Sequence, residues 1–387
     1  MDFHLTADQA ALRDAAREFA RNEMTAVGRQ IEASNEPLSK DWKKRLGELG
    51  FMGVNISAEY GGMGLGALEA LLVLEEFAKI HSGMAFPIFE SCVGPVKAIE
   101  HLGHETLKAR ILPAVCRGEH VIAIAMSEPD AGTALTDLTT RGEIRGDKIV
   151  LNGVKRWSSG GGYSDGYLVY CKLSDAPGAK GIGAVYIDKD TPGLSFGSRE
   201  MLMGFRGVYS ADIILEDVEA PIEHLVAPAG GFGDLMGAFC LERCGNATMS
   251  MAIAAAAVED TVDYVQERQA FGKPLVDFQA VQIKLAEMAM QVEASRLLIH
   301  RAVAGIGGGF PTVLDSSMAK CFANEMVRDV TGKAMQLMGG YGYSKEYPAE
   351  QRFRDAWGWG IAGGSIDIQK VNIASALVGR RFNQRAK

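Results

Sequence analysis

The sequence predicts an α+β protein in three parts. An N-terminal helical domain spans residues 1–120, a small middle β-barrel or sandwich domain spans 121–225, and a C-terminal four-helix bundle spans 226–387. Two observations carry this prediction. Apolar residues recur at helical spacing up to about residue 120, change to a period of two until about 225, and return to the helical period in four long stretches. The chain, at 387 residues, is also longer than one ordinary hydrophobic core supports. No internal repeat or low-complexity tract interrupts the pattern.

The first helix is signalled by Thr6-Ala7-Asp8-Gln9, a hydroxyl followed three residues later by Gln, with Leu12, Ala16 and Phe19 at helical spacing behind it. Further helical patterns run over 41–49, 67–80, 92–101 and 105–116, separated by Gly- or Pro-containing breaks. At 122 a short apolar run begins. It ends in Met126-Ser127, where Glu128-Pro129 stops it because proline has no N–H and forces its predecessor into an extended conformation. A hairpin follows, with Arg145-Gly146-Asp147 as its turn and Ile149 and Leu151 on one face, leading to Trp157 among small polar residues and glycines. Residues 167–171, 182–187 and 212–215 are short β-branched or aromatic runs bounded by turn residues. The bundle helices are expected over 235–269, 279–304, 313–338 and 366–380.

A formal charge of −8 and a pI near 5.5 argue against nucleic-acid partners and against an acidic membrane surface. The six cysteines are scattered with no C-x-x-C pair, which indicates neither a disulfide framework nor a zinc site and fits a reducing compartment. The start lacks a basic and then apolar leader, and no apolar run reaches membrane-spanning length, so the expected location is the cytoplasm. Three apparent motifs are set aside. Gly62-Met63-Gly64-Leu65-Gly66 has the wrong spacing for a dinucleotide loop, His101 and His104 flank a helix-breaking glycine that argues against a metal pair, and Asn246-Ala247-Thr248 matches a glycosylation sequon only on paper, inside an apolar helix. No metal site is expected.

One charged pair stands out. Between Asp234 and Glu259 the only charged residues are Glu242 and Arg243, in a stretch otherwise apolar or small on every side. Such a helix is buried, and burial raises the proton affinity of a carboxylate toward that of a useful base.

The chain resembles the acyl-CoA dehydrogenase family along its whole length. The resemblance rests on Ser127-Glu128-Pro129 with Ala131-Gly132-Thr133, then Asn152-Gly153 and Trp157-Ser158-Ser159-Gly160. In the family's order these are joined by Asp2-Phe3 with Leu5-Thr6, Glu59-Tyr60-Gly61-Gly62, Met203-Gly204-Phe205-Arg206, Glu267-Arg268 with Phe271-Gly272-Lys273, Gln336 with Gly339-Gly340, and Arg354-Asp355-Ala356. The resemblance implies FAD lying between the β domain and the bundle. Met126 and Ser127 would meet the pyrimidine edge of the isoalloxazine, Trp157 its face and Ser159 the region of N5, with Ser158 also among the cofactor contacts. Thr133 would sit by the pyrophosphate and near substrate. Arg268, Phe271 and Gln279 would hold the adenine and pyrophosphate end across a subunit interface, joined by Gln336, Gly339, Gly340, Ser365 and Asp367. A homo-oligomer, typically a tetramer, is implied.

In many members the base is a Glu just before the last helix, at a position that is Gly363 here. Similarity to the isovaleryl-CoA and long-chain acyl-CoA dehydrogenases moves the role to Glu242 within Leu241-Glu242-Arg243, against the alternative of a structural ion pair with Arg243. Arg243 would orient the base or contact substrate, and Cys240 would lie where an acid often meets CoA. The thioester carbonyl would be polarised by the backbone N–H of Gly363, beside Gly364. Small residues at 362 and 363 suggest extra room and hence a branched or bulky acyl group. The expected activity is α,β-dehydrogenation of an acyl-CoA with electrons passed to an electron-transfer flavoprotein. An acyl-carrier-protein dehydrogenase or a flavin oxidase or hydroxylase on the same fold is the rival, followed by a non-catalytic flavin protein that associates with DNA.

Overall fold

A computed structural model describes residues 4–382 of the chain. Asp2 and Phe3 of the N-terminal motif lie outside the described residues. The architecture has an N-terminal helical domain, a middle β domain and a C-terminal helical domain.

The N-terminal helices are α1 (Ala7–Phe19), α2 (Thr25–Ser34), α3 (Lys40–Glu48), α4 (Ala67–Ile80), α5 (Ser82–Cys92), α6 (Pro95–Leu102) and α7 (Glu105–Cys116). At the start of α1 the capping box is complete: Thr6 Oγ1 accepts from the Gln9 N–H, and Gln9 Oε1 accepts from the Thr6 N–H. The helix expected over 92–101 begins instead at Pro95, because Gly94 is its cap and proline fits its first turn, where no N–H is needed. Helix α5 has no counterpart in the sequence reading. It carries Pro87 in its interior, and every residue except Phe86 is buried, so it shows neither an uninterrupted run nor a polar face.

Eight strands form one sheet: β1 (Ile122–Ala125), β2 (Arg141–Arg145), β3 (Lys148–Ser159), β4 (Gly166–Lys172), β5 (Ile182–Asp188), β6 (Leu194–Phe196), β7 (Ser210–Pro221) and β8 (Leu225–Ala227). Their order is β6-β7-β3-β2-β4-β5-β8, with β1 paired in parallel to β4. On β4 the alternation is used on both faces. Leu168 and Tyr170 pack with α7 and the following long helix, while Tyr167, Val169 and Cys171 pack with Ile213 and Leu215 of β7.

The C-terminal part opens with α8 (Phe232–Glu267), 36 residues long, then the short pair β9 (Gln269–Ala270) and β10 (Lys273–Pro274). It continues with α9 (Gln279–Val303), α10 (Val313–Met338), α11 (Gly340–Tyr343), α12 (Pro348–Trp359) and α13 (Ile366–Val378). The four long helices match the expected stretches within a few residues, and α12 is added to them. Helix α13 stops at Gly379, whose φ of 67° is the left-handed conformation that glycine adopts most readily. One core unites this part with the first. Phe77, Met84 and Phe89 share a buried cluster with Ala247, Met251, Val327 and Trp359. Helix α5 lies so close to α8 that a Cβ on Gly245 would be 2.3 Å from Cγ2 of Val93, the residue that caps α5, and 3.1 Å from Cε2 of Phe89 within it. No described helix is long and apolar enough to cross a membrane.

Candidate active site

The strand ends of β1 and β3 bring the first group of site residues together. A buried ion pair holds them in place. Lys155 Nζ is 2.8 Å from Glu128 Oε1 and donates to the Met126 carbonyl at 3.1 Å, and the Arg156 N–H donates to the Ser127 carbonyl at 3.0 Å. Glu128 also accepts from the Thr140 N–H and the Thr139 hydroxyl. Burial opposes ionisation of Glu128, but Lys155 and these donors outweigh it and hold the carboxyl down at about 2. The pair thus fixes the Met126-Ser127 backbone against β3. Lys155 shares strand parity with Ile149 and Leu151, which was the available signal for its inward side chain.

Parity alone would send Trp157 inward as well. A β-bulge intervenes, because three steps on β3 from Lys155 to Ser158 oppose two on β7 from Ile213 to Ala211. Ser158 is turned in and Trp157 out, with 63% of its surface exposed. An ordinary hairpin with a core tryptophan is therefore not what is found. An exposed indole beside buried Met126 and Ser158 offers a flat apolar face with polar backbone at its edge, which fits the isoalloxazine ring. Ser159 is half-buried next to it, and Thr133 is exposed on the loop after β1.

A second group gathers at the far end of α8. Arg268 caps that helix, its guanidinium 5.6 Å from the centre of the Tyr341 ring. Together with Tyr264, Leu275, Gly339 and Gly340 it lines a cavity of about 570 Å³. A cation, an aromatic face and glycine backbone suit a nucleotide end. Gln336, Phe271 and Gln279 are exposed near this region of the chain and do not line that cavity, and Phe271 is 97% exposed. Ser365 caps α13, accepting from the Ile368 N–H, with Asp367 exposed in the first turn.

Glu242 lies in the first third of α8. It is 9% exposed, and its carboxylate makes no hydrogen bond or ion pair with any described residue. The alternative of a structural ion pair with Arg243 is not realised. Adjacent residues on a helix diverge by about 100°, and Arg243 instead points its Nη1 at Cys240 Sγ, 3.4 Å away, with its guanidinium 5.3 Å from the centre of the Phe239 ring. Burial raises the Glu242 carboxyl from its ordinary 4.5 to about 8, against the opposing pull of Arg243 and Lys320. Its charge reaches two further groups. Burial, and then Glu242, pushes up the phenol of Tyr170 on β4 and the carboxyl of Glu90 on α5. Glu90, 2% exposed with Oε2 unpartnered, and Lys320, fully buried, are site neighbours that sequence reasoning missed. Neither carried a signal, since each acquires its burial from helices distant in sequence.

The Gly363-Gly364 loop approaches from α12. Gly363 has φ of 68°, and a Cβ added there would lie 3.3 Å from Asn246 Nδ2 and 3.4 Å from Lys320 Cε. The room expected beside Gly363 is therefore filled on that side by Asn246 and Lys320.

Family models for the acyl-CoA dehydrogenase N-terminal, middle and C-terminal domains match residues 6–119, 123–218 and 229–378. The chain belongs to the acyl-CoA dehydrogenase family. It is accordingly an oxidoreductase with FAD as its cofactor. It is 33% identical to a short-chain-specific acyl-CoA dehydrogenase of Clostridium acetobutylicum, over 97% of this chain and 100% of that protein. It is 34% identical to a 3-sulfinopropanoyl-CoA desulfinase of Paraburkholderia xenovorans, over 99% of each chain. Among solved structures, the butyryl-CoA dehydrogenase of Megasphaera elsdenii superposes with a TM-score of 0.93 at 32% identity, covering 98% of this chain and 100% of that one.

Proposed function

We propose that the protein is a short-chain acyl-CoA dehydrogenase in which Glu242 takes the α-proton of the thioester. The observation that carries this reading is the buried, unpartnered Glu242 carboxylate on the helix that packs against the strand-end group of Met126 and Tyr170. A carboxylate held at about 8 binds a carbon-derived proton more strongly than an ordinary glutamate does, and its lack of protein partners leaves both oxygens for substrate. The Gly363 N–H donates to the thioester carbonyl, where negative charge gathers as the α-proton leaves. Arg243, the residue after the base, and Cys240, two residues before it, would lie toward the CoA side. Bound FAD supplies the two-electron acceptor for the hydrogen leaving the β-carbon.

A short acyl group is supported by the short-chain and butyryl-CoA relatives and by the filled space beside Gly363. Branched or bulky chains lose the room on which their expectation was based. Similarity to a chain solved in work on the electron transferring flavoprotein of Acidaminococcus fermentans, with a TM-score of 0.94 at 34% identity, favours such a flavoprotein as electron acceptor over oxygen. A homo-oligomer is supported by large apolar side chains left exposed on the C-terminal helices and their links, among them Phe271 at 97%, Tyr343 at 81% and Leu377 at 70%.

The test is anaerobic titration of the holoprotein with butyryl-CoA. The native flavin bleaches, whereas Glu242→Gln keeps its yellow FAD and is not reduced. Bleaching of the variant at the native rate would place the base elsewhere. Turnover of butyryl, isovaleryl, octanoyl and palmitoyl thioesters ranks the chain, and a preference for any of the last three would contradict the short-chain reading.

A further inference from the structure

The carbonyls of the loop between α12 and α13 are held from below by buried donors. Asn246 Nδ2 lies 3.2 Å from the Trp359 carbonyl and 3.3 Å from the Ala362 carbonyl. Lys320 Nζ lies 3.0 Å from the same Trp359 carbonyl, and Gln369 Nε2 donates to the Gly364 carbonyl at 3.0 Å. In a trans peptide the C=O of one residue and the N–H of the next point in opposite directions. Drawing the Ala362 carbonyl toward Asn246 therefore turns the Gly363 N–H away from the bundle interior.

The orientation of Asn246 is itself dictated. Burial lowers Lys320 to about 7, yet in either protonation state its Nζ carries donors, and these meet the Trp359 carbonyl and, at 2.7 Å, Asn324 Oδ1, the acceptor end of that amide. Asn324 Nδ2 must then face the other way, where it donates to Asn246 Oδ1 at 3.0 Å and to Ser250 Oγ at 2.7 Å. Asn246 is left with only its NH₂ to offer the loop. Lys320, Asn324 and Asn246 are 0%, 0% and 3% exposed, so water does not compete for these bonds. Lys320 is also without a carboxylate within salt-bridge distance among the described residues, an uncommon state for a buried lysine and one that favours its neutral form.

We propose that Asn246 is a positioning residue for the dehydrogenation: oriented through Asn324 by Lys320, it aims the Gly363 N–H at the thioester carbonyl. Asn246 lies four residues, about one helical turn, after Glu242 on α8. One helix thus carries the base and sets the direction of the donor that receives the charge the base creates. The inference rests on the functional reading above and deepens it.

The experiment uses the FAD-loaded protein and Asn246→Asp, which keeps the volume but presents acceptors to the loop carbonyls. Two readouts are taken, butyryl-CoA turnover and the long-wavelength charge-transfer band of bound 3-thiabutanoyl-CoA, which reports ionisation of its α-carbon. Removing an oxyanion donor costs about 100- to 1,000-fold in kcat, so misaiming one is expected to cost about 10- to 100-fold. KM stays within about threefold, FAD content and melting temperature are kept, and the band reaches half intensity at a pH about one unit higher. Asn246→Ser, which shortens the donor, moves the same readouts in the same direction and serves if the Asp variant does not fold. Native kcat in either variant, or a loss of kcat that merely tracks lost FAD, would overturn the proposal. The two readings fail separately. Reduction of Glu242→Gln by butyryl-CoA sinks the functional reading, whereas an inert Glu242→Gln beside a fully active Asn246 variant sinks only the positioning role.

Discussion

Replacing Glu242 by glutamine keeps the volume of the side chain and removes its ionisation, so it isolates the energetic cost of holding a charge in the α8 interior. The folded-state carboxyl is raised from 4.5 to about 8, chiefly by burial. For a raised group the native state binds its proton more tightly than the unfolded chain does. Its contribution is therefore fully present below about 4.5 and is lost as pH rises through about 8. At about 1.4 kcal/mol per pH unit the full loss approaches 5 kcal/mol, an upper figure because water entry and relaxation lower the burial cost. Wild type should thus become progressively less stable than Glu242→Gln from pH 5 to pH 8.5. The assay is the melting temperature of both proteins in excess FAD at pH 5, 7 and 8.5. The Gln variant is expected to melt highest relative to wild type at pH 8.5, with the gap closing by pH 5. A difference that does not change with pH, or a variant less stable at pH 8.5, would refute the claim that Glu242 is a desolvated and unpaired carboxyl.

Three further outcomes follow from the same geometry. With half-ionisation near 8, only about a tenth of Glu242 is ionised at pH 7, so kcat/KM for butyryl-CoA should rise about ninefold from pH 6 to 7 and level off above 8; a flat profile over that range would contradict the assignment. Lys155→Met leaves Glu128 buried without its cation and frees the Met126 carbonyl. It should cost about 3–5 kcal/mol and lower FAD retention on gel filtration, and unchanged melting would show that the pair does not hold the strand end. Gly245→Val places a Cβ 2.3 Å from Val93 Cγ2, which forces α5 and α8 apart. A loss of about 1–3 kcal/mol in denaturant unfolding, with a lower kcat because Glu242 and Asn246 ride on α8, is the expected result.

Much of this molecule was legible along the chain, wherever a property depends on neighbours a few positions away. The capping box at Thr6, the change of period near 120 and 225, and the burial of Glu242 in an apolar stretch are all local patterns, and the structure contains each of them. Even the divergence of Glu242 and Arg243 was implicit in the turn of a helix. Helix α5 was hidden because burial on every side erases the contrast from which a helical face is read.

What the tertiary structure alone decided are contacts between segments far apart in sequence. A single extra residue in β3, visible only against β7, turned Trp157 toward solvent and Ser158 inward. Asn246 read on paper as an idle sequon, and it acquired a direction only when α10 supplied Asn324 and Lys320 and the loop before α13 supplied its carbonyls. Periodicity states which side of an element is apolar, because that follows from backbone geometry. It does not state which polar atoms meet there, because hydrogen bonds are short and directional and their partners are set by how whole helices come to rest on one another.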